Sequence, residues 1–157
     1  MSELTDMVAF VRDELPRRAR GRACFVLTKK YAGQIAWAVR LSELAGVSHL
    51  NVLKHFEASQ DLASRVSTFT VRDLFVLTTA EGKGQPVLIV SGFEFLRAVW
   101  SGQPSNLEAL ASEAELWSRR PALLLVTQHD PALANRPYIR YPSQRTVIDQ
   151  SGTVSLS

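Results

Sequence analysis

Three short, uninterrupted apolar runs constrain the fold of this chain more than any other feature. They occupy residues 23–27, 86–90 and 121–126. Runs of this length that lack polar alternation are typical of strands buried on both faces of a parallel sheet. The segments between them carry apolar residues at helical spacing, and strands that alternate with helices form βαβ units. We therefore predict an α/β fold with three layers, a mostly parallel sheet covered by helices on both faces.

Local signals predict the remaining elements. Thr70 is a suitable N-cap for a helix, and residues 49–53 predict a further strand. Residues 138–157 alternate around Gly152, which predicts short strands or a terminal hairpin. Apolar spacing and stop signals predict helices at residues 3–15, 34–45, 71–78 and 106–118.

The length of 157 residues predicts a single domain over residues 1–157, with an N-terminal helix and basic connector in residues 1–20. No uncharged apolar run approaches the roughly 18 to 20 residues of a membrane helix. Acidic residues precede the first apolar run, unlike in a signal peptide. Cys24 is the only cysteine, so no internal disulfide can form. We expect a cytoplasmic protein.

Positive charge is concentrated in the first quarter of the chain, although the net charge is only +3. The acids between residues 12 and 40 are Asp13 and Glu14. The cations there are Arg12, Arg17, Arg18, Arg20, Arg22, Lys29, Lys30 and Arg40. Such a cluster can meet phosphates or an acidic partner, and the alternative is an ordinary solvated surface. The candidate nucleic-acid contacts are Arg17, Arg18, Arg20 and Arg22.

The segment after the first apolar run has the layout of a phosphate-binding P-loop. That motif follows a strand as G-x-x-x-x-G-K-[ST] and opens a helix. Residues 28–35 keep this spacing and read TKKYAGQI. Gly33 keeps the second glycine of the motif, but Thr28 replaces the first. Gln34 replaces the lysine that neutralises phosphate, and Ile35 replaces the hydroxyl that holds magnesium.

The later strands fit the same template. Ser91 and Glu94 follow the run at residues 86–90, where a Walker B strand carries the acid that positions magnesium. The next strand leads into Gln128 and Asp130, as a polar sensor position requires. Ligand sites in parallel α/β sheets gather at these strand ends. These four residues are therefore candidate site residues.

On these positions the chain resembles the RecA/AAA-like branch of the P-loop NTPases with eroded Walker A and Walker B motifs, over residues 22 to about 155. It is also similar to small P-loop components of bacterial phage-defence systems and to short recombinase-like paralogues. A different open α/β fold is the alternative. Phosphoryl transfer depends on positioning and electrostatics, so the departures imply lost catalysis. The resemblance implies a non-catalytic regulatory or scaffolding subunit without a cofactor, bound to a protein partner or to its own copies in a DNA-associated complex for phage defence or DNA repair.

Two other functions stay open. The first is a deviant ATPase that binds ATP and magnesium, in which Lys29 or Lys30 replaces the missing lysine. The second is a DNA-binding protein that uses the arginines of residues 17–22 without nucleotide. The candidate positions for nucleotide are Thr28, Lys29, Lys30, Gly33 and Gln34.

Two further patterns concern metals and interfaces. His49, His55 and His129 lack the paired spacing of metal ligands, so no metal site is predicted. Trp100 stands beside Ser101, and we expect it to be exposed as an interface anchor.

Overall fold

The structure, a computed structural model, describes residues 3–101 and 106–156. Within these residues five parallel strands form one sheet in the order β2-β3-β4-β1-β5. The strands are β1 (Ala23–Thr28), β2 (Ser48–Asn51), β3 (Val87–Ser91), β4 (Ala122–Gln128) and β5 (Val147–Asp149). The predicted α/β class with a parallel sheet is confirmed.

Helices connect the strands and cover the sheet. They are α1 (Met7–Ala9), α2 (Gln34–Ala45), α3 (Val52–Glu57), α4 (Gln60–Ser64), α5 (Val71–Glu81), α6 (Glu94–Trp100), α7 (Asn106–Leu116) and α8 (Pro131–Ala134). The chain after α1 continues as a π-helical turn at Phe10–Glu14 and a 3-10 turn at Leu15–Arg17. In the described part of the chain, no helix combines the length and the apolar character needed to cross a bilayer.

Two of the helix ends show the signals expected from the sequence. Thr70 caps α5 through its hydroxyl, which accepts the N–H of Asp73, while the Asp73 carboxylate accepts the N–H of Thr70. This reciprocal capping box satisfies two otherwise unpaired donors. Helix α2 ends at Gly46, whose φ of 67° is the left-handed conformation favoured at helix C-termini. The predicted cap at Thr70 is confirmed.

The core has one apolar cluster on each face of the sheet. On one face, Phe25 and Leu125 pack with residues of α5 and α7, among them Leu74. On the other face, Val26 and Leu124 pack with α1 and α2. Residues that are neighbours along a strand point to opposite faces, so β1 and β4 need apolar residues at every position.

The order of the strands creates a crevice at one edge of the sheet. From β1 the chain passes to α2 on one face, and from β3 it passes to α6 and α7 on the other. The chain after β4 also enters the second face, through Leu133 of α8. Loops that leave adjacent strands toward opposite faces open a crevice outside their carboxyl ends. This crevice lies between β1 and β4.

One expectation from the sequence is wrong, and one open alternative is decided. For residues 138–157 the short-strand alternative is the one observed: β5 pairs in parallel with β1, Thr153 makes an isolated parallel bridge to Thr5, and the described residues up to 156 form no hairpin. Alternation predicted extended backbone but could not show which strand it joins. Trp100 is buried, and its indole N–H donates to the carbonyl of Phe69 at 2.7 Å. It therefore belongs to the core and is not an exposed anchor.

Candidate functional site

Glu94 lies at the centre of the carboxyl edge of the sheet because the turn after β3 aims it there. Gly92 makes this turn with a φ of 74°. A Cβ at this position would stand 2.5 Å from the side-chain oxygen of Asn51, so a glycine is required on both counts. Two residues later α6 begins at Glu94, whose side chain is 17% exposed.

The Glu94 carboxylate joins α6 to β4 and α2. Its Oε1 accepts hydrogen bonds from the hydroxyl of Thr127 at 2.7 Å and the N–H of Gln128 at 2.8 Å. The same oxygen accepts from Nε2 of Gln34 at 3.2 Å. Three donors on one oxygen hold this carboxylate in a fixed position.

Arg97, one turn further along α6, neutralises Glu94. Its guanidinium donates to Oε2 of Glu94 at 3.1 Å, to the hydroxyl of Thr127 at 2.9 Å and to the carbonyl of Gln128 at 2.6 Å. It also contacts Asp130 at 3.4 Å. The Arg97 side chain is only 14% exposed, and a charge at that depth needs such partners.

Gln34 occupies the position of the P-loop lysine and is buried. Its Nε2 donates to the hydroxyl of Thr28 at 3.1 Å as well as to Glu94. Its Oε1 is a buried side-chain oxygen without a hydrogen-bond partner among the described residues. An unpaired buried acceptor costs about 1–3 kcal/mol. The amide therefore serves as a donor between the oxygens of Thr28 and Glu94.

Backbone and side-chain contacts seal the loop after β1 onto β4. The N–H of His129 donates to the carbonyl of Thr28 at 2.8 Å, and the amide of Gln128 donates to the carbonyl of Lys29 at 3.3 Å. We call the whole arrangement the strand-end network. Its members are Thr28, Gln34, Glu94, Arg97, Thr127, Gln128 and Asp130. Its hydrogen bonds tie the ends of β1 and β4 to α2 and α6, and Glu94, Arg97, Gln128 and Asp130 also line a pocket of about 590 Å³.

Lys29 and Lys30 lie outside the strand-end network and are exposed. They line an open pocket of about 600 Å³ together with Trp37 of α2. The C-terminal segment supplies the opposite wall through residues 150–156. Hydrogen bonds from Ser151 lower the pKa of Asp149, and the nearby charges of His129 and Lys29 lower it further. Gly33, the remaining P-loop candidate, is exposed with a φ of 81°.

Ser91 is separate from the network although it ends β3. It is fully buried, and its hydroxyl lies 2.6 Å from Nε2 of His49 on β2. Burial lowers the pKa of His49 and so favours the neutral imidazole. His55 instead lies 3.6 Å from Glu81. The histidines do not converge, and residues 3–101 and 106–156 contain no cluster of metal-binding side chains.

The four candidate nucleic-acid contacts lie at the opposite edge, before β1 begins. Arg18 is buried, with its guanidinium donating to the carbonyls of Gly21 and Arg145. Arg22 is also buried and donates to the carbonyls of Arg119 and Arg18. Their side chains tie loops together. The exposed members of the set are Arg17 and Arg20.

The sequence predicted Thr28, Gln34, Glu94, Gln128 and Asp130 as site residues but did not predict Arg97. Arg97 stands three residues after Glu94, a spacing that places two side chains of a helix together. That spacing was the available signal. Comparison with protein-family models and with curated proteins finds no match for this chain. The fold and the site together define an open parallel α/β protein whose strand ends are joined by the strand-end network.

Proposed function

We propose that this chain is a non-catalytic, P-loop-like protein of the cytoplasm that regulates or scaffolds a partner in a DNA-associated complex, of the kind used in phage defence or DNA repair. The observation that carries the proposal is the strand-end network. It lies at the strand ends where an open parallel sheet would hold a ligand. Gln34 and Arg97, the polar groups that would have to face phosphate, both donate hydrogen bonds to Glu94.

The electrostatics of the crevice oppose phosphate. Gln34 brings no positive charge, and the guanidinium of Arg97 is committed to Glu94. A phosphate that entered would meet the Glu94 carboxylate and displace its donors. Losing two hydrogen bonds to a charged group costs about 3–6 kcal/mol, since each contributes about 1.5–3 kcal/mol. A cost of about 4 kcal/mol weakens binding roughly 1000-fold.

A fold without catalytic groups can still bind partners through its outer surfaces. Phosphoryl transfer needs a lysine and a metal-bound hydroxyl near the phosphates, and the chain has Gln34 and Ile35 at those positions. Loss of these groups does not alter the apolar clusters that hold the sheet and its helices together. A protein of this kind can keep its shape and its partner contacts without turnover.

The test is calorimetric titration of the pure protein with ATP and magnesium. We expect no heat of binding, and we expect the Lys29→Ala/Lys30→Ala variant to behave as the wild type. ATP hydrolysis by the pure protein at an ordinary enzymatic rate would contradict the proposal.

A deviant ATPase is the second candidate, favoured by the pocket beside α2. There Lys29, Lys30 and Trp37 offer positive charge and an aromatic surface outside the strand-end network. This function predicts magnesium-dependent ATP binding that the Lys29→Ala/Lys30→Ala variant abolishes. The same titration therefore separates the two functions.

A further inference from the structure

Three loops meet at the amino edge of the sheet, the edge opposite the strand-end network. They are residues 17–22, 118–121 and 141–146, which precede β1, β4 and β5. The N–H of Gly21 donates to the hydroxyl of Ser118 at 3.2 Å. The amide of Gln144 donates to the carbonyl of Arg20 at 3.0 Å.

Buried arginines fix these loops to one another. Arg22 donates to the carbonyl of Arg119 at 3.1 Å, and Arg18 donates to the carbonyl of Arg145 at 2.9 Å. The guanidinium of Arg18 also lies over the ring of Phe10, 5.4 Å from its centre. The loops are therefore held in place by contacts that span more than 90 residues of chain.

The same loops carry a set of exposed arginines, which we call the amino-edge surface. Its members are Arg17, Arg20, Arg119, Arg120 and Arg145. Within the described part of the chain, none of them forms a salt bridge. The nearby carboxylate of Glu115 is already bound by Arg136 and by the N–H of Arg140. The amino-edge surface therefore carries unneutralised positive charge.

We propose that the amino-edge surface binds the phosphate backbone of duplex nucleic acid. This inference rests on the DNA-associated part of the proposed function and does not require that a nucleotide binds or fails to bind at the other edge. Guanidinium groups bind phosphate oxygens through paired N–H donors, and fixed loops reduce the entropy lost on binding.

The composition of the surface favours phosphate over an acidic protein. A protein interface usually has an apolar or aromatic centre with charges at its rim. None of the large exposed apolar side chains in the described residues lies on the three loops. The cations are arginines from separate parts of the chain, and their charge is the dominant feature that a partner would meet.

The strength of binding should depend steeply on salt. The logarithm of the association constant falls with the logarithm of salt concentration by about 0.9 for each phosphate contacted. If four of the five arginines contact phosphate, the slope is about −3.6. Affinity then falls roughly 100-fold between about 50 mM and 200 mM salt.

The experiment measures fluorescence anisotropy of short labelled DNA and RNA duplexes with the full chain over a salt series. The test variant is Arg17→Gln/Arg119→Gln/Arg120→Gln, because these side chains are exposed and, within the described residues, make no salt bridge. The control is Arg40→Gln/Lys54→Gln/Arg72→Gln, which removes three exposed cations elsewhere. Both variants lower the formal net charge from +3 to zero. Circular dichroism checks that each is folded.

We expect the test variant to weaken duplex binding at least about tenfold at low salt and to reduce the salt slope by about 2–3, while the control keeps the wild-type slope. Equal loss in both variants would overturn the inference, because net charge alone would then explain binding. Binding of polyglutamate but not of duplexes would overturn it in favour of an acidic protein. Duplex RNA bound in preference to DNA would support the phosphate contact and contradict the DNA part of the proposed function. Tight ATP binding in the separate titration would contradict only the non-catalytic proposal.

Discussion

Replacement of Glu94 by glutamine tests whether the strand-end network is a fixed structural unit. Glu94→Gln keeps an acceptor near Thr127 and Gln128 but places an amide N–H₂ group opposite the guanidinium of Arg97, which is 3.1 Å from the carboxylate. A charge-assisted hydrogen bond contributes about 1.5–3 kcal/mol, and breaking a fully buried ion pair costs about 3–5 kcal/mol. Asp130 continues to neutralise Arg97 in part, at 3.4 Å. We therefore expect a loss of about 2 kcal/mol in the free energy of unfolding.

Urea denaturation followed by circular dichroism measures this loss. About 2 kcal/mol corresponds to a fall of roughly 4–8 °C in Tm for a chain of this size. The matched control is Asp61→Asn, which breaks the exposed helical pair with Arg65. That pair contributes only about 0.3–0.5 kcal/mol. Equal effects of the two substitutions would refute the claim that Glu94 and Arg97 form a buried, cooperative pair.

Three other predictions follow from single contacts. Gln34→Lys should lower the free energy of unfolding by less than about 1 kcal/mol, measured by urea denaturation. An ammonium can donate to the oxygens of Thr28 and Glu94 that the amide now meets, and the substitution eliminates the unpaired Oε1. Calorimetry of this variant should still detect no ATP binding. Gly92→Ala should destabilise by about 2 kcal/mol or more from strain and crowding, whereas Gly84→Ala, which meets no atom within 4 Å, should cost about 1 kcal/mol. Burial lowers the pKa of His49, so the unfolded chain binds the proton more readily and stability falls as pH drops below about 6.5. Stability curves from pH 7 to 5 should be flatter for His49→Gln.

The strands were predictable because their signal is local. A continuous apolar run such as residues 122–126 is compatible with few environments other than the centre of a parallel sheet. The cap at Thr70 was equally local. The pairing partner of β5 was not predictable, since an alternating segment has the same pattern in a hairpin and in a parallel edge strand. Only the pairing of β5 with β1 in the folded sheet distinguishes the two arrangements.

The candidate site was predictable in position but not in its contacts. Thr28, Glu94 and Gln128 were expected at the carboxyl ends of strands, where the structure places them. Hydrogen bonds in the network join distant parts of the chain: Gln34 and Glu94, for example, are 60 residues apart. No local pattern shows whether such groups face a ligand or one another. The resemblance to a P-loop remains a prediction that the titration tests.

Residue type alone also could not show which arginines of residues 17–22 are buried and which are exposed. Arg18 and Arg22 are buried because backbone carbonyls of the other loops accept from their guanidinium groups. The exposed Arg17 and Arg20 gain Arg119 and Arg120 as neighbours only once the sheet has formed. No short stretch of the sequence contains all of these arginines, so local patterns could not predict the amino-edge surface.

A parallel sheet explains why the two polar regions lie at opposite edges. Every strand enters the sheet at the same edge and leaves it at the other. Loops that precede strands therefore lie together at one edge, and loops that follow strands lie together at the opposite edge. The loops before β1, β4 and β5 collect the unpaired arginines, and the loops after β1, β3 and β4 collect the strand-end network. In the strand-end network the carboxylates of Glu94 and Asp130 pair with the guanidinium of Arg97. The amino-edge surface instead exposes its arginines to solvent. A substitution that opens the network should therefore change stability without changing the salt dependence of duplex binding, and loss of the exposed arginines should do the reverse.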